Sequence, residues 1–417
     1  MLYQLVSLSG LVVMIGLAWL CSVDRRSISW GLVVKGVALQ LVFAVLILKT
    51  AVGRRVFDSA GDAVTFVIQA SDEGTRFVFG ALADKERLGT VFFIKVTGTI
   101  ILVSALMSAL YYIGLMQWVV WAMAKVMQVV MGTSGSESLA AAANVFVGQT
   151  EAPLVIKPYL LRMTQSEVMA LMTGGMATIA GGVMALYISF LADAGLGGAA
   201  GHLLAASVMS APASLVMAKI MVPETAESET RGQVRVRLER EGTNILDAIC
   251  IGAADGLKLS LNVMAMLIAF TALVFLLDAA LAKCGLLVGI HDLSLNWLLG
   301  KLFQPLALAM GVSWEDTPEV GAILGKRTVL NEFFAYLDLA AVLQQNAISQ
   351  RSAVITTYAL CGFANFASIA IQIGGIGSLV PSRRVDLARF GLRAMIGGML
   401  ASFMTANIAG ALTSFQD

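Results

Sequence analysis

The chain has 417 residues, of which 58% are hydrophobic and only 13% are charged. With a mean hydropathy of +0.83, it has too few polar side chains to cover a soluble globule of this size. Lysine and arginine (28) almost balance aspartate and glutamate (27), and a net charge of +1 argues against nucleic acid as a partner. The composition therefore indicates an integral membrane protein.

The first third of the chain is predicted to contain three membrane-spanning helices and two helices at the membrane surface. Residues 1–20, 31–48 and 92–113 are apolar and long enough to cross a hydrocarbon core of about 30 Å. Residues 54–87 mix apolar and acidic side chains, which is typical of an interfacial helix. Residues 117–131 carry Trp118 and Trp121, which suit the aromatic belt at the membrane interface.

A polar interruption follows at residues 148–151, where Gly-Gln-Thr-Glu separates two short apolar stretches. This pattern predicts a helix that enters the membrane, breaks and returns, which is tolerated only against protein or a wet cavity. Residues 167–191 contain two pairs of adjacent glycines, so we expect this span to unwind near its centre. Residues 199–222 are predicted to be an ordinary span.

The second half repeats this plan. After a hydrophilic stretch at residues 223–241, residues 256–277 are predicted to span the membrane, and residues 293–310 form a shorter apolar segment. A second polar break contains Lys326, Arg327, Asn331 and Glu332. Residues 353–377 form a span interrupted by polar side chains, and residues 395–412 close the chain. Two matched halves with broken helices are typical of secondary transporters. The basic residues of the loops do not fix the orientation in the membrane.

Three motifs carry a resemblance to a known family: GQTEAPL at residues 148–154, KRTVLNEFFAYLDL at 326–339 and YALCGFANFASIAIQIGGIG at 358–377. They resemble concentrative nucleoside transporters, and the length and number of spans are similar to the bacterial branch. The resemblance implies an all-α integral membrane protein with about eight transmembrane helices, two re-entrant helical hairpins and interfacial helices. It also implies a homotrimer in the bacterial inner membrane, embedded in lipid, that imports nucleosides by an elevator-type movement.

The same resemblance implies a division of the chain into a scaffold and a mobile transport domain. Residues 1–131 would form scaffold helices, and residues 132–222 the first repeat of the transport domain. Residues 223–312 would hold the polar loop and a further scaffold helix, and residues 313–417 the second repeat of the transport domain.

The polar residues of the two breaks have chemistry that suits a nucleoside. A carboxylate accepts hydrogen bonds from two adjacent hydroxyls, and such charge-assisted bonds are strong, so Glu332 with Asn365 and Ser368 suits the ribose. Gln149, Thr150 and Glu151 offer the donors and acceptors that match the edge of a base. The resemblance implies these same roles and adds Phe363 and Val183 as apolar contacts of the base.

Other interpretations of these residues stay open. The two glutamates could be structural ion-pair partners of Lys157, Lys326 or Arg327, and Asn365 and Ser368 could join helices by ordinary hydrogen bonds. The chain could also be an intramembrane enzyme, in which Glu151 and Glu332 would serve as general acid and general base. A passive channel would need a continuous polar lining, whereas these polar residues concentrate at two breaks.

Uphill transport needs a coupled ion, which carbonyl groups at an unwound helix can hold. The resemblance implies a sodium site made by Asn144, Val147, Thr178 and Ile179. Thr178 stands where the family leads us to expect serine, so the oxygen is kept but a methyl group is added. Sodium is the expected cotransported ion, and proton coupling is the alternative.

Overall fold

The computed structural model describes residues 2–83, 91–231, 242–289 and 293–413, and all regular elements in these ranges are helices. The predicted all-α fold is confirmed. The first five helices are α1 (Leu2–Leu20), α2 (Trp30–Leu48), α3 (Ala51–Phe79), α4 (Phe92–Tyr112) and α5 (Leu115–Met131). Helix α3, at the place of the predicted interfacial helix, continues as a short 3-10 helix, Gly80–Ala83, and the rest of that prediction lies outside the described residues.

The first hairpin and the helices after it have the predicted order. Its entering arm is α6 (Gly135–Asn144), and its returning arm is only α7 (Ala152–Val155) with a 3-10 helix, Lys157–Arg162. The glycine-rich span is interrupted at residues 178–180, which separate α8 (Gln165–Ala177) from α9 (Gly181–Asp193). Helix α10 (Ala199–Met221) follows.

The second half has a longer hairpin and a second interrupted span. Its elements are α11 (Ile245–Val288), α12 (Leu295–Ala309), a 3-10 helix (Trp314–Asp316), α13 (Thr317–Val329), α14 (Glu332–Gln344), α15 (Gln350–Leu360), α16 (Phe366–Leu379), a 3-10 helix (Pro381–Arg383) and α17 (Arg384–Leu412). Helix α11 has 44 residues and extends well beyond the predicted span. Helix α17 begins at Arg384 and thus extends before the predicted span at residues 395–412.

Seven helical stretches in the described parts of the chain are long and apolar enough to cross a membrane. One of them, Gln165–Asp193, contains the break between α8 and α9. The eighth predicted span is also interrupted, because α15 and α16 share it across residues 361–365. Seven of the predicted spans thus have a counterpart among these stretches, and residues 353–377 form two shorter helices instead.

Both helix breaks, at residues 178–180 and 361–365, lie in the protein interior. Helices α10 and α17 pack against each other, α8 packs on both, and α15 packs on α17. Most residues of α8, α9, α10 and α17 are buried, whereas α11 is largely exposed. Unpaired backbone groups at a helix break are tolerated in a membrane only where protein or a wet cavity surrounds them. This arrangement satisfies that requirement.

A buried polar cluster anchors the start of the first hairpin. Lys219 on α10 pairs with Glu137 on α6 at 2.7 Å, and both side chains are at most 5% exposed. Glu167, at the start of α8, accepts hydrogen bonds from Ser136 at 3.0 Å and Ser228 at 2.6 Å. Buried charges persist where they are paired and hydrogen-bonded. The cluster therefore fixes α6 and α8 relative to α10.

Candidate functional site

The two helix breaks meet each other. The backbone N–H of Phe363, in the second break, donates to the carbonyl of Thr178, in the first, at 3.3 Å. Close packing at this point requires glycine, because a Cβ on Gly362 would lie 2.7 Å from the carbonyl oxygen of Met176 and 2.9 Å from Ser402 Oγ. Side chains next to either break therefore face a common region.

Two asparagines start the helices that carry the polar side chains of this region. Asn331 Oδ1 accepts from the N–H of Phe334 at 3.2 Å, and Asn365 Oδ1 accepts from the N–H of Ser368 at 2.9 Å. Such N-caps satisfy backbone donors that the first helical turn leaves free. Glu332 thereby becomes the first residue of α14, where the partial positive charge of a helix N-terminus favours a carboxylate.

Glu332 is buried and hydrogen-bonded by neutral groups. The Tyr187 hydroxyl donates to Oε1 at 2.9 Å, and Asn365 Nδ2 donates to Oε2 at 3.1 Å. Lys326 pairs instead with Asp338. The alternative interpretation of Glu332 as the ion-pair partner of Lys326 is therefore wrong.

Gln149 connects the residues that are predicted to bind the base with those that are predicted to bind the ribose. Its Nε2 donates to Ser368 Oγ at 3.0 Å, and its Oε1 accepts from Gln372 Nε2 at 3.0 Å. Gln372 Nε2 also lies 3.0 Å from the Met172 carbonyl oxygen, its acceptor on α8. A Cβ on Gly175 would lie 2.7 Å from Gln372 Nε2 and 2.9 Å from Gln149 Cβ, so the glycine allows this approach.

The other residues that are predicted to bind substrate lie around Gln149 and Glu332 and differ in their exposure. Thr150 and Glu151 are exposed, and the Glu151 carboxylate accepts from the N–H of Gly148 at 3.0 Å. Val183 is buried in the first turn of α9, and Phe363 is half-buried in the second break. The buried end of the site is thus polar, with both carboxylate oxygens of Glu332 hydrogen-bonded, while the hairpin tip is accessible.

The predicted cation ligands lie where the first hairpin meets the first break. Asn144 is the last residue of α6 and 1% exposed, and its Nδ2 donates to the Ala140 carbonyl at 3.0 Å. Within the described chain its Oδ1 has no hydrogen-bond partner. The N–H of Gly181 donates to the Phe146 carbonyl at 3.0 Å, which holds the hairpin turn next to the break.

The oxygens available here fit a small hard cation. The Thr178 hydroxyl donates to the Gly174 carbonyl at 3.0 Å, so its oxygen lone pairs remain free to coordinate. A buried amide oxygen without a partner is costly, and a cation would remove that cost. Val147 and Ile179 lie in the two turns that the hydrogen bond from Gly181 to Phe146 ties together.

Family models match most of the chain. One described as "Na+ dependent nucleoside transporter N-terminus" matches residues 9–82, and its C-terminal counterpart matches residues 202–410. A model described as "Nucleoside recognition" matches residues 93–194. An uncharacterized transporter of Haemophilus influenzae is 46% identical over 409 residues, which cover 97% of this chain and 96% of the relative. The chain belongs to the sodium-dependent, or concentrative, nucleoside transporter family.

The chain is also similar to mammalian members of this family and to solved structures of a family member. Sodium/nucleoside cotransporter 1 of Rattus norvegicus is 43% identical over 98% of this chain, which spans 64% of the rat protein's length. The transporter CNTnw, in an inward-facing substrate-bound state, is 39% identical with a TM-score of 0.90, and the match covers 98% of this chain and 97% of CNTnw. A CNTnw variant in an outward-facing state matches with a TM-score of 0.92 at 39% identity over 98% of this chain and 97% of that variant. The protein is therefore a multi-pass membrane transporter and not an enzyme.

Three residues of the site were not predicted from the sequence. Tyr187 donates a hydrogen bond to Glu332, and Gln372 donates one to Gln149. The third residue, Arg327, was considered only as an ion-pair partner. Gln372 carried a usable signal, because an amide within an apolar helix needs a buried partner. The sequence around Tyr187 carried no such signal, because a tyrosine in an apolar run resembles an ordinary core aromatic residue. In the structure it also stacks on Tyr336, with ring centroids 4.3 Å apart.

Gln372→Leu should raise the KM for a transported nucleoside about tenfold, with a smaller effect on maximal uptake, because one hydrogen bond that orients Gln149 is lost. Initial uptake rates in proteoliposomes over a range of nucleoside concentrations measure both values. Ser378→Ala, at an exposed position of the same helix, is the control. An unchanged KM in Gln372→Leu would show that Gln149 needs no such support.

Proposed function

We propose that the protein imports nucleosides, uridine and other pyrimidine or purine nucleosides, by cotransport with sodium. The observation that carries this proposal is the continuous buried chain of hydrogen bonds from Tyr187 through Glu332 and Asn365 to Ser368 and Gln149. In the structure these groups form hydrogen bonds with each other. A nucleoside would replace internal partners with its own hydroxyls and base edge, so the buried polar atoms stay satisfied.

The roles follow from the chemistry of each group. The Glu332 carboxylate, at a helix N-terminus, accepts from the 2′ and 3′ hydroxyls, and Asn365 and Ser368 contribute the neutral donors and acceptors beside it. Gln149, Thr150 and Glu151 contact the base edge, and Val183 and Phe363 pack beside the ring. Because the ligand is neutral, one negative charge is enough to orient the diol.

Sodium is favoured over a proton as the coupled ion. The proposed ligand set contains the Asn144 amide, the Thr178 hydroxyl and the carbonyls of Val147 and Ile179, all hard oxygens. None of these groups titrates in the physiological range, so they do not carry a proton through the cycle. The methyl group of Thr178 narrows the site without removing its oxygen.

The contact between the two breaks gives sodium and nucleoside a physical link. Thr178 is a proposed sodium ligand, and its carbonyl accepts from the N–H of Phe363, beside the base. In the proposed cycle sodium binds first and orders Thr178, which holds Phe363 and the start of α16 in place. Sodium then raises nucleoside affinity, and by linkage nucleoside raises sodium affinity equally.

The movement we propose is an elevator, in which residues 132–222 and 313–417 move against a scaffold formed by residues 1–131 and 223–312. The known inward-facing and outward-facing states of CNTnw support alternation between two such positions. Lys95 on α4 pairs with Asp193 at the end of α9, so this ion pair would break during the movement. The largely exposed α11 would face lipid and neighbouring subunits of a homotrimer in the bacterial inner membrane.

The free energy of one sodium ion is sufficient. A membrane potential of about 100 mV contributes ~2.3 kcal/mol per charge, and a tenfold sodium gradient adds ~1.4 kcal/mol. Together they sustain several-hundred-fold accumulation of uridine at most, about 1.4 kcal/mol being needed for each factor of ten. A passive channel would sustain none.

Proteoliposomes that contain the purified protein should accumulate radiolabelled uridine above equilibrium with an inward sodium gradient and not with a proton gradient alone. The potential should be clamped in both cases, so that only the ion differs. Accumulation driven by protons would move the coupling away from Asn144 and Thr178. Equilibration without accumulation under every gradient would indicate a passive pathway, and an absence of uridine uptake would overturn the substrate class.

A further inference from the structure

Arg327 is a buried cation that the mechanism above does not use. It lies in the last turn of α13, and its side chain is fully buried. Its Nε donates to the carbonyl of Gly362 at 3.3 Å, and Nη2 donates to Ser402 Oγ at 3.2 Å. The Cζ atom lies 5.8 Å from the centroid of the Phe403 ring, within range of a cation–π interaction.

The contacts of Arg327 do not explain its charge. Among the described residues, no carboxylate forms an ion pair with it, and Nη1 has no hydrogen-bond partner. A buried charge without a paired countercharge is strongly unfavourable, and in a membrane protein such residues usually mark a functional pathway. Glu332 is near enough to interact electrostatically, although its direct partners are Tyr187 and Asn365.

The position of Arg327 in the second half corresponds to that of the proposed sodium site in the first. In the first half, Asn144 ends α6 and lies beside the break that follows α8. In the second half, Arg327 lies in the last turn of α13 and contacts the break that follows α15. Helix α10 packs on α8 in one case, and α17 packs on α15 in the other.

One peptide group connects these two positions. The carbonyl of Gly362 accepts from Arg327, and the N–H of the same peptide group, on Phe363, donates to the carbonyl of Thr178. A cation near the carbonyl polarises the peptide and strengthens the hydrogen bond that its N–H donates. Arg327 therefore acts on the proposed sodium ligand Thr178 through a single peptide group.

We propose that the Arg327 guanidinium is a built-in cation, which does for the second break what the cotransported sodium does for the first. It binds the carbonyl that the unwound helix leaves free and balances Glu332, so that one mobile ion is sufficient for each nucleoside. The inference rests on the proposed function, because it assigns the sodium requirement of the same site. It predicts that an uncharged amide at this position creates a need for a second sodium ion.

The test compares Arg327→Asn, Arg327→Lys and Arg327→Met for uridine uptake as a function of sodium concentration, with choline keeping the ionic strength constant. Arg327→Lys should keep the wild-type order of sodium activation, with a lower rate because lysine lacks the planar fork. Arg327→Asn should be nearly inactive at sodium concentrations that saturate the wild type. Its activity should return at higher sodium, with a Hill coefficient about one unit greater, since the amide and the Gly362 carbonyl form a cation site. Arg327→Met should stay inactive.

Arg389→Asn is the matched control, because Arg389 also lies over a phenylalanine ring, at 5.9 Å from Phe390, but is exposed. Size-exclusion elution and thermal stability in detergent establish folding, and Arg327→Gln replaces Arg327→Asn if the shorter side chain prevents folding. The inference would be overturned by a folded amide variant whose Hill coefficient for sodium equals that of the wild type. It would also be overturned by a folded amide variant that is inactive at all sodium concentrations. Normal uptake by Arg327→Met would overturn it as well. Failure of the proposed function is distinct, because wild-type protein would then show no sodium-driven uptake.

Discussion

Glu332→Ala should reduce sodium-driven uridine uptake at least ~100-fold, because the two charge-assisted hydrogen bonds that we propose between Glu332 and the ribose are worth roughly 3 kcal/mol or more together. The loss also leaves the Tyr187 hydroxyl and the Asn365 amide without their buried acceptor. Initial rates of uptake into proteoliposomes, over a wide range of uridine concentrations, measure the effect. Glu229→Ala, which removes an exposed carboxylate paired with Arg162, should leave uptake unchanged.

A change of substrate separates the role of Glu332 in binding from a role in folding. If its carboxylate binds the diol, 2′,3′-dideoxyuridine should be a weak inhibitor of the wild type, and Glu332→Ala should discriminate little between the two nucleosides. The two changes should therefore be strongly non-additive, as expected for groups in direct contact. Independent, additive effects of the substitution and of the missing hydroxyls would show that Glu332 does not contact the ribose.

The order of the helices was predictable because the signals for it are local. Apolar runs of sufficient length gave the spans, and the glycines and polar residues of the interrupted segments gave the breaks. The similar dipeptides Thr164-Gln165 and Ser349-Gln350 stand at equivalent places in the two halves, where Thr164 is the N-cap of α8 and Ser349 is the N-cap of α15. Each hydroxyl accepts from the backbone N–H three residues later, so a weak sequence similarity has a physical origin.

Two helices extend further than the sequence predicted. The extent of α11 could not be read from hydropathy, because the polar residues at its start continue the helix outside the apolar window. The start of α17 was equally hidden, since Arg384, Asp386 and Arg389 interrupt the apolar pattern but not the helix. An exposed helical turn can carry polar residues without a change in backbone structure.

The candidate site shows the same division between local and tertiary information. Gln149 and Ser368 are 219 residues apart and were assigned to different parts of the nucleoside, yet they share a hydrogen bond. The type of each side chain predicted its chemistry, whereas its partner depended on how the two halves pack. Arg327 is the clearest example, because its sequence context next to Lys326 suggests an exposed basic pair, and only packing against α17 shows that it is buried.

Asn144→Ala and Thr178→Val should each abolish the dependence of uridine affinity on sodium, because each removes one side-chain oxygen from the proposed cation site. In the wild type, saturating sodium should tighten uridine binding about tenfold or more, which is within the usual range of coupling free energies between two sites. Isothermal titration of the purified protein with uridine, in sodium and in choline, measures this ratio directly.

Thr178→Ser provides the matched control for Thr178→Val, since valine keeps the shape of threonine without the oxygen, and serine keeps the oxygen without the methyl group. Sodium dependence should therefore survive in Thr178→Ser and disappear in Thr178→Val. Both variants retain the backbone carbonyl that accepts from Phe363, so the contact between the breaks is not removed. If Thr178→Val kept the full sodium effect on uridine affinity, the threonine hydroxyl would not be a ligand. If neither Asn144→Ala nor Thr178→Val altered that effect, the cation would bind elsewhere.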